Sequence, residues 1–178
     1  IFNTIDQNCL YNSTKVLNAF HKHNVSDSYF NSTTGYGYND YGRDNIEQIF
    51  ADVLDAEDAI VRSQFISGTH ALTVALFAFL RPNDTMLSIT GLPYDTLHEV
   101  IGIVPNNSSL ASFGVKYDQI DLVDNDFNHQ AIKDYLTNNK VKLIEIQRSK
   151  GYSTRKSLTI DKVQKVIETI RSVDKEVI

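Results

Sequence analysis

The chain has 178 residues, 42% of them hydrophobic, a formal net charge of −5 and a single cysteine. That length and apolar content suit one folded domain with a real core. The acidic balance and the scatter of lysines and arginines argue against a nucleic-acid face, and one cysteine excludes an internal disulfide or a cysteine-based zinc site.

No apolar run reaches membrane-spanning length, and the first residues lack the charged-then-apolar pattern of a secretory signal. A cytoplasmic protein with neither membrane nor nucleic acid as partner is expected. Asn-x-Ser/Thr triplets start at Asn12, Asn24, Asn31, Asn83, Asn106 and Asn107, and in so Asn-rich a chain they read as composition rather than glycosylation sites. The chain opens on Ile1 and closes on Val177-Ile178, two β-branched residues after a helical segment. Both ends read as truncations, the second as a strand cut where it starts.

Residues 4–23 predict a helix with Ile5, Leu10, Val16, Leu17 and Phe20 as apolar members, Thr4 as N-cap and Cys9 as a buried small residue. The segment 26–42 is rich in Ser, Asn, Tyr and Gly and has no period. Its aromatics (Tyr29, Phe30, Tyr36, Tyr38, Tyr41) predict a loop packed on something. Residues 44–54 predict a second helix, with Ile46, Ile49, Phe50, Val53 and Leu54 on one face.

An alternating pattern follows. Residues 59–66 predict a strand, 69–80 a helix with Leu72, Ala75, Leu76 and Phe79 on one face, and 81–84 a turn. A strand at 85–89 leads through Thr90-Gly91-Leu92-Pro93 to a helix at 95–101. Further strands at 115–122 and 141–146 alternate with helices at 128–138 and 160–173. Such alternation predicts an α/β fold, a mostly parallel sheet with helices on both faces. Ligands of such sheets gather outside the carboxyl ends of the strands. Three loops should meet there: Ser67-Gly68-Thr69-His70, Gly91-Leu92-Pro93-Tyr94 and Gln147 to Tyr152. The first places unpaired helix N–H groups and the positive end of a dipole at the sheet's tip, a site for a phosphate.

In order along the chain, these segments carry a resemblance: Thr34-Gly35-Tyr36-Gly37-Tyr38, Gly42-Arg43-Asp44, Ser67-Gly68-Thr69-His70-Ala71, Pro93-Tyr94-Asp95-Thr96-Leu97 with Glu99-Val100-Ile101-Gly102, and Ile146-Gln147-Arg148-Ser149-Lys150-Gly151-Tyr152-Ser153. Together they resemble the methionine γ-lyase-like family, whose members are also labelled aluminium resistance proteins. That family is similar to the pyridoxal-phosphate enzymes of sulfur amino-acid metabolism, with the aspartate-aminotransferase fold. The resemblance implies a three-layer αβα large domain, truncated here. Residues 1–42 would form an N-terminal helix and a cofactor and interface loop, and residues 43–178 the first part of the cofactor-binding domain.

The resemblance further implies that Ser67, Gly68, Thr69 and His70 hold the phosphate of pyridoxal 5'-phosphate. Tyr94 would stack on the cofactor ring and serve as an acid–base group near the leaving sulfur. Tyr41 and Arg43 would reach a neighbouring subunit's phosphate, with Tyr38 a rival for the hydroxyl role. Gln147 and Arg148 would touch the cofactor ring or the substrate. A homodimer or homotetramer acting on a small amino acid is therefore expected. The cofactor-bearing lysine and the aspartate facing the pyridine nitrogen fall outside this chain, since none of its lysines, Lys150 included, lies in the expected motif. The chain alone is expected to be inactive.

Plainer readings stand beside these. Taken alone, Ser67 to His70 is an ordinary helix cap and Tyr94 a core or rim aromatic. Arg43 at a helix start opposes the dipole, which favours a functional reason for it. His21 and His23 diverge on a helix and make a poor metal pair. His98-Glu99 lacks the second histidine of a zinc-protease motif and reads as a surface variant. Gly35-Tyr36-Gly37-Tyr38 follows no strand and is no dinucleotide loop. Ser67 lacks the frame of a hydrolase nucleophile. Asp124-Asn125-Asp126 reads as a turn. The rival functions are a non-catalytic α/β domain that binds a phosphate ligand or a partner, and an aminotransferase or decarboxylase on the same fold.

Overall fold

The structure is a computed structural model that describes residues 2–36, 38 and 40–178. Gly37, part of the aromatic and glycine-rich stretch, lies outside them. By contacts the chain divides into two compact units, residues 1–66 and 67–178.

The first unit pairs two helices, α1 (Phe2–Lys22) and α2 (Tyr41–Leu54). Asp52 on α2 takes Lys22 at 2.7 Å and His23 at 2.5 Å, and the hydrogen bonds from these two side chains, Lys22 foremost, hold its carboxyl below the usual range. His23, just past the end of α1, thus helps tie the two helices together by a hydrogen bond. Thr4 lies inside α1 rather than at its cap, and Cys9 is exposed rather than buried. The predicted apolar members of α1 are mostly exposed too, because α2 covers only the strip around Ala19. Helix α2 starts three residues earlier than its apolar period suggests. Asp40 caps it by accepting from Arg43 N, which brings Tyr41 and Arg43 into the first turn.

Two expectations for this unit fail. Residues 59–66 form no strand: a strand needs a partner, and Ile60 and Ile66 stand 71% and 84% exposed. Side chains of α2 hold this segment instead, Glu47 accepting from Val61 N and pairing with Arg62 at 2.8 Å. The loop aromatics Phe30, Tyr36, Tyr38 and Tyr41 are likewise exposed rather than packed. Within the loop, a 3-10 turn at Asp27–Phe30 lays its Tyr29 carbonyl against α2.

The second unit is a three-layer αβα sandwich around three parallel strands: β1 (Thr85–Ser88), β2 (Lys116–Gln119) and β3 (Leu143–Glu145), ordered β2-β1-β3. Helix α3 (Gly68–Phe79) precedes β1. A 3-10 turn (Asp95–Leu97) with the one-turn helix α4 (His98–Ile101), and further on α5 (His129–Asn138), supply the crossovers, and α6 (Ile160–Arg171) follows β3. Strand alternation sorts the core into two faces. Leu87 and Ile89 pack with Ile132, Leu136, Val166 and Ile170 from α5 and α6. Met86 and Leu143 pack with Leu76 and Leu80 at the end of α3, and with Ile101 and Leu110. Only part of the predicted face of α3 is covered, for Leu72 and Phe79 are about half exposed. Asp124 and Asn125 both have positive φ beneath the Val123–Asp126 bridge, the tight turn expected there. Beyond α6 the chain returns to β3. Ile178 donates to the carbonyl of Lys142 and accepts from Ile144 N, at 3.0 and 2.8 Å, a strand-like pairing on that edge.

Gly42 lies close against the Tyr29 backbone, and a Cβ there would clash with the Tyr29 carbonyl oxygen. Gly42→Ala should therefore displace the 27–30 turn and cost about 1–3 kcal/mol in urea unfolding of the full-length protein.

Candidate active site

The turn before β1 reverses the chain, so α3 runs against the strands and opens at their carboxyl ends. The sequence sets this opening locally. Ser67, in extended backbone, accepts from His70 N through its Oγ at 3.1 Å, while its carbonyl takes Ala71 N. Capping therefore uses the His70 amide and leaves those of Gly68 and Thr69 with no acceptor among the described residues. A Cβ built on Gly68 would meet no heavy atom within 4 Å. Two convergent N–H donors, the positive end of a helix dipole and open space above them form a cup for an anion.

The loop after β1 comes to this cup. Thr69 Oγ1 and Thr96 Oγ1 are hydrogen-bonded at 3.0 Å, tying the first turn of α3 to the turn that follows Tyr94. Tyr94 is half-buried, with its ring centroid 6.1 Å from that of Tyr152. Tyr152, together with desolvation and Asp95, pushes the Tyr94 hydroxyl above its ordinary range. At neutral pH it therefore carries its proton. A Cβ on Gly151 would stand 3.1 Å from the Tyr94 ring and 4.0 Å from Gln147 Nε2, so these three residues adjoin. Gln147 donates from its backbone to Thr90 Oγ1 at 3.1 Å and from Nε2 to the Ser149 carbonyl. Arg155 braces the same loop by donating to the carbonyls of Gln147 and Ser149. Arg148 turns to the Leu158 carbonyl at 3.1 Å, and His98, half-buried rather than a free surface residue, bonds the Pro93 carbonyl at 2.8 Å.

Beneath these loops the sheet carries two rows on the face that α3 covers. Register aligns Tyr117, Met86 and Leu143 in one row and Gln119, Ser88 and Glu145 in the next, toward the carboxyl ends. The second row is polar, with Ser88 fully buried. Ser88 Oγ lies 2.8 Å from Glu145 Oε2 and 2.7 Å from the Gly91 carbonyl. Burial pushes the Glu145 carboxyl above its usual range, opposed by the Ser88 contact.

In the first unit, Arg43 is held by its own helix cap. Its Nε pairs with Asp40 at 2.9 Å and its Nη1 donates to the Gly35 carbonyl at 3.0 Å, while Thr33 also donates to Asp40. A buried counter-charge thus offsets the misfit of an arginine with the helix dipole. Tyr41 beside it is exposed.

The sequence profile of the methionine gamma-lyase family matches residues 1–178. This chain belongs to that family. Among solved structures it is similar to a provisionally assigned cystathionine beta-lyase involved in aluminum resistance from Clostridium acetobutylicum, with 46% identity and a TM-score of 0.95 over 99% of this chain. It is also similar to a carbon-sulfur lyase involved in aluminum resistance from Clostridium novyi NT, with 41% identity and a TM-score of 0.93 over 99% of this chain. The uncharacterized Bacillus subtilis protein YnbB is 45% identical over 94% of this chain. The chain spans 43% of each of those two solved chains and 40% of YnbB.

Sequence reading missed the polar row and the Thr69–Thr96 link. Ser88 and Glu145 each sit inside an apolar run, Met86-Leu87-Ser88-Ile89 and Leu143-Ile144-Glu145-Ile146, and a polar residue in a buried strand is itself a signal. If the Thr69–Thr96 bond joins the two loops, Thr69→Val and Thr96→Val should each destabilise the protein slightly. The double variant should show about 0.5–1 kcal/mol of coupling in a denaturant double-mutant cycle.

Proposed function

We propose that this chain is the cofactor-phosphate-binding part of a pyridoxal-phosphate-dependent carbon–sulfur lyase acting on a small sulfur amino acid. The observation that carries the proposal is the open cup at Gly68 and Thr69, joined by Thr69–Thr96 to the loop that presents a protonated Tyr94. The lyase descriptions within the family support the reaction class.

The residues fit the cofactor. The Gly68 and Thr69 amides would hold the phosphate dianion, Gly68 leaving room for its oxygens. Tyr94 would cover one face of the ring and, carrying its proton, donate to the departing sulfur. Gln147, fixed by Thr90 and Ser149, would orient the ring or the substrate's polar groups. Arg43 has its Nη2 without a hydrogen-bond partner among the described residues, and in a homodimer or homotetramer it would extend this nitrogen to a neighbour's phosphate, with Tyr41 beside it. When bound, pyridoxal phosphate supplies the electron sink for proton loss at the substrate's Cα. On this reading the lysine that carries it would come from outside these 178 residues, and this chain alone would be inactive.

Gly68→Ala is the sharpest test. Alanine favours a helix and meets nothing here, so thermal stability should hold or rise. The methyl group would occupy the phosphate's space, and pyridoxal-phosphate affinity of the full-length protein, followed by its visible absorbance, should fall about tenfold or more. Unchanged affinity would remove the cup from the site, and no visible band in the parent would remove the cofactor. Arg43→Lys should weaken cofactor binding in an oligomer of the full-length protein, and equal binding would reject the partner-phosphate role.

A further inference from the structure

Residues 147–156 run from beyond β3 toward α6 with no helix or strand of their own. Ordering such a stretch costs backbone entropy at every residue, so specific contacts must hold it. Packing does not hold its middle, where Tyr152 is 89% exposed. Arg155 does. Its Nη2 donates to the carbonyls of Gln147 and Ser149 at 3.0 and 2.6 Å, and its Nη1 donates to the Lys156 carbonyl at 3.1 Å. One half-buried guanidinium thus closes the loop on itself, gathering its outgoing and returning arms. The other bonds act elsewhere. Ser153 N and Oγ close a turn on the Lys150 carbonyl, Arg148 ties the root to the Leu158 carbonyl, and Lys156 N bonds Asn125 Oδ1.

The closed loop is what meets Tyr94. It carries Gly151, where a Cβ would stand 3.1 Å from the Tyr94 ring, and Tyr152, whose ring centroid lies 6.1 Å from that of Tyr94. It also carries Gln147, whose carbonyl is taken by Arg155 and whose Nε2 shares the Ser149 carbonyl with the same guanidinium. We propose that Arg155 is a positioning residue of the candidate site: its fork on three backbone carbonyls sets where Gly151 and Tyr152 bear on Tyr94 and where Gln147 points. The fork is the feature that matters. A guanidinium is planar and keeps its donors in fixed directions, whereas a lysine ammonium is a point charge on a flexible stem. Lysine at 155 would keep the charge and lose the geometry.

The loop's geometry stands on these contacts alone, whereas its effect on turnover rests on the lyase reading. Full-length protein carrying fluorotyrosine at position 94 should give one narrow fluorine resonance. Arg155→Ala and Arg155→Lys should each shift or broaden it, the lysine variant lying nearer the alanine variant than the parent. Arg81, in the turn before β1 at the amino ends of the strands, is the control, since its Nη1 likewise donates to two carbonyls, those of Phe77 and Leu80. Arg81→Ala should lower stability and leave the Tyr94 resonance in place. A resonance unmoved in both Arg155 variants, a lysine variant that matches the parent, or an equal shift in Arg81→Ala would each overturn the proposal. In full-length protein loaded with pyridoxal phosphate, thiol release from cystathionine should fall about tenfold or more in Arg155→Lys. That loss should exceed any loss of pyridoxal-phosphate affinity, which rests on the Gly68 and Thr69 amides. Unchanged turnover in an active parent's Arg155→Lys variant would overturn the positioning role even if the resonance moves. A parent that binds no pyridoxal phosphate, with a Tyr94 resonance that still depends on Arg155, would keep the loop assignment and remove the lyase reading.

Discussion

The second unit depends on β1 lying in the middle of three parallel strands. A central strand hydrogen-bonds on both edges, and its side chains are shielded on both faces, which is why residues 86–90 are all buried. The pairing continues past the strand's formal end: Ile120 donates to Ser88, Ile89 to Glu145 and Gly91 to Ile120. The chain leaves the sheet only at Gly91, already held in place. Tyr94 therefore hangs three residues beyond a rigid anchor, and the candidate-site loop inherits the precision of the core.

Much of this was legible in the sequence because the signals were periodic or local. The apolar runs around Met86, Tyr117 and Leu143 marked the strands, and the Ser67 cap marked the start of α3. Residues 59–66 misled because β-branched composition records a preference for extended backbone, whereas a strand exists only where another edge accepts it. Helix α2 was read too short for a related reason. Its first turn is set by Asp40, a capping residue outside the apolar period, and periodicity says nothing about caps. The aromatic loop misled in a different way, since burial of Tyr36 or Tyr38 requires a surface opposite, and residue type alone does not supply one.

The candidate site was half readable. The cup and Tyr94 could be named from spacing and resemblance, since each lies where a helix or loop begins. The polar row could not, because it exists only once register sets Gln119, Ser88 and Glu145 side by side, from positions 119, 88 and 145 of the chain. Arg43 shows the reverse case. Its mismatch with the helix dipole drew attention to function, and the fold then supplied a structural partner in Asp40 that accounts for the charge locally. Having such a partner does not remove a residue from a site, since a guanidinium has donors to spare.

Gly151, with φ +55 and the Tyr94 ring 3.1 Å from where a side chain would begin, acts as a stop against that ring. Two loops from different strands thus share one degree of freedom, and the ring's inclination is decided partly by a residue that lacks a side chain. Any variation enlarging the aromatic at 94 must be absorbed on its other side, and any variation filling 151 must rotate the phenol. Positions 94 and 151 are therefore sterically coupled, and what one can hold is constrained by the other.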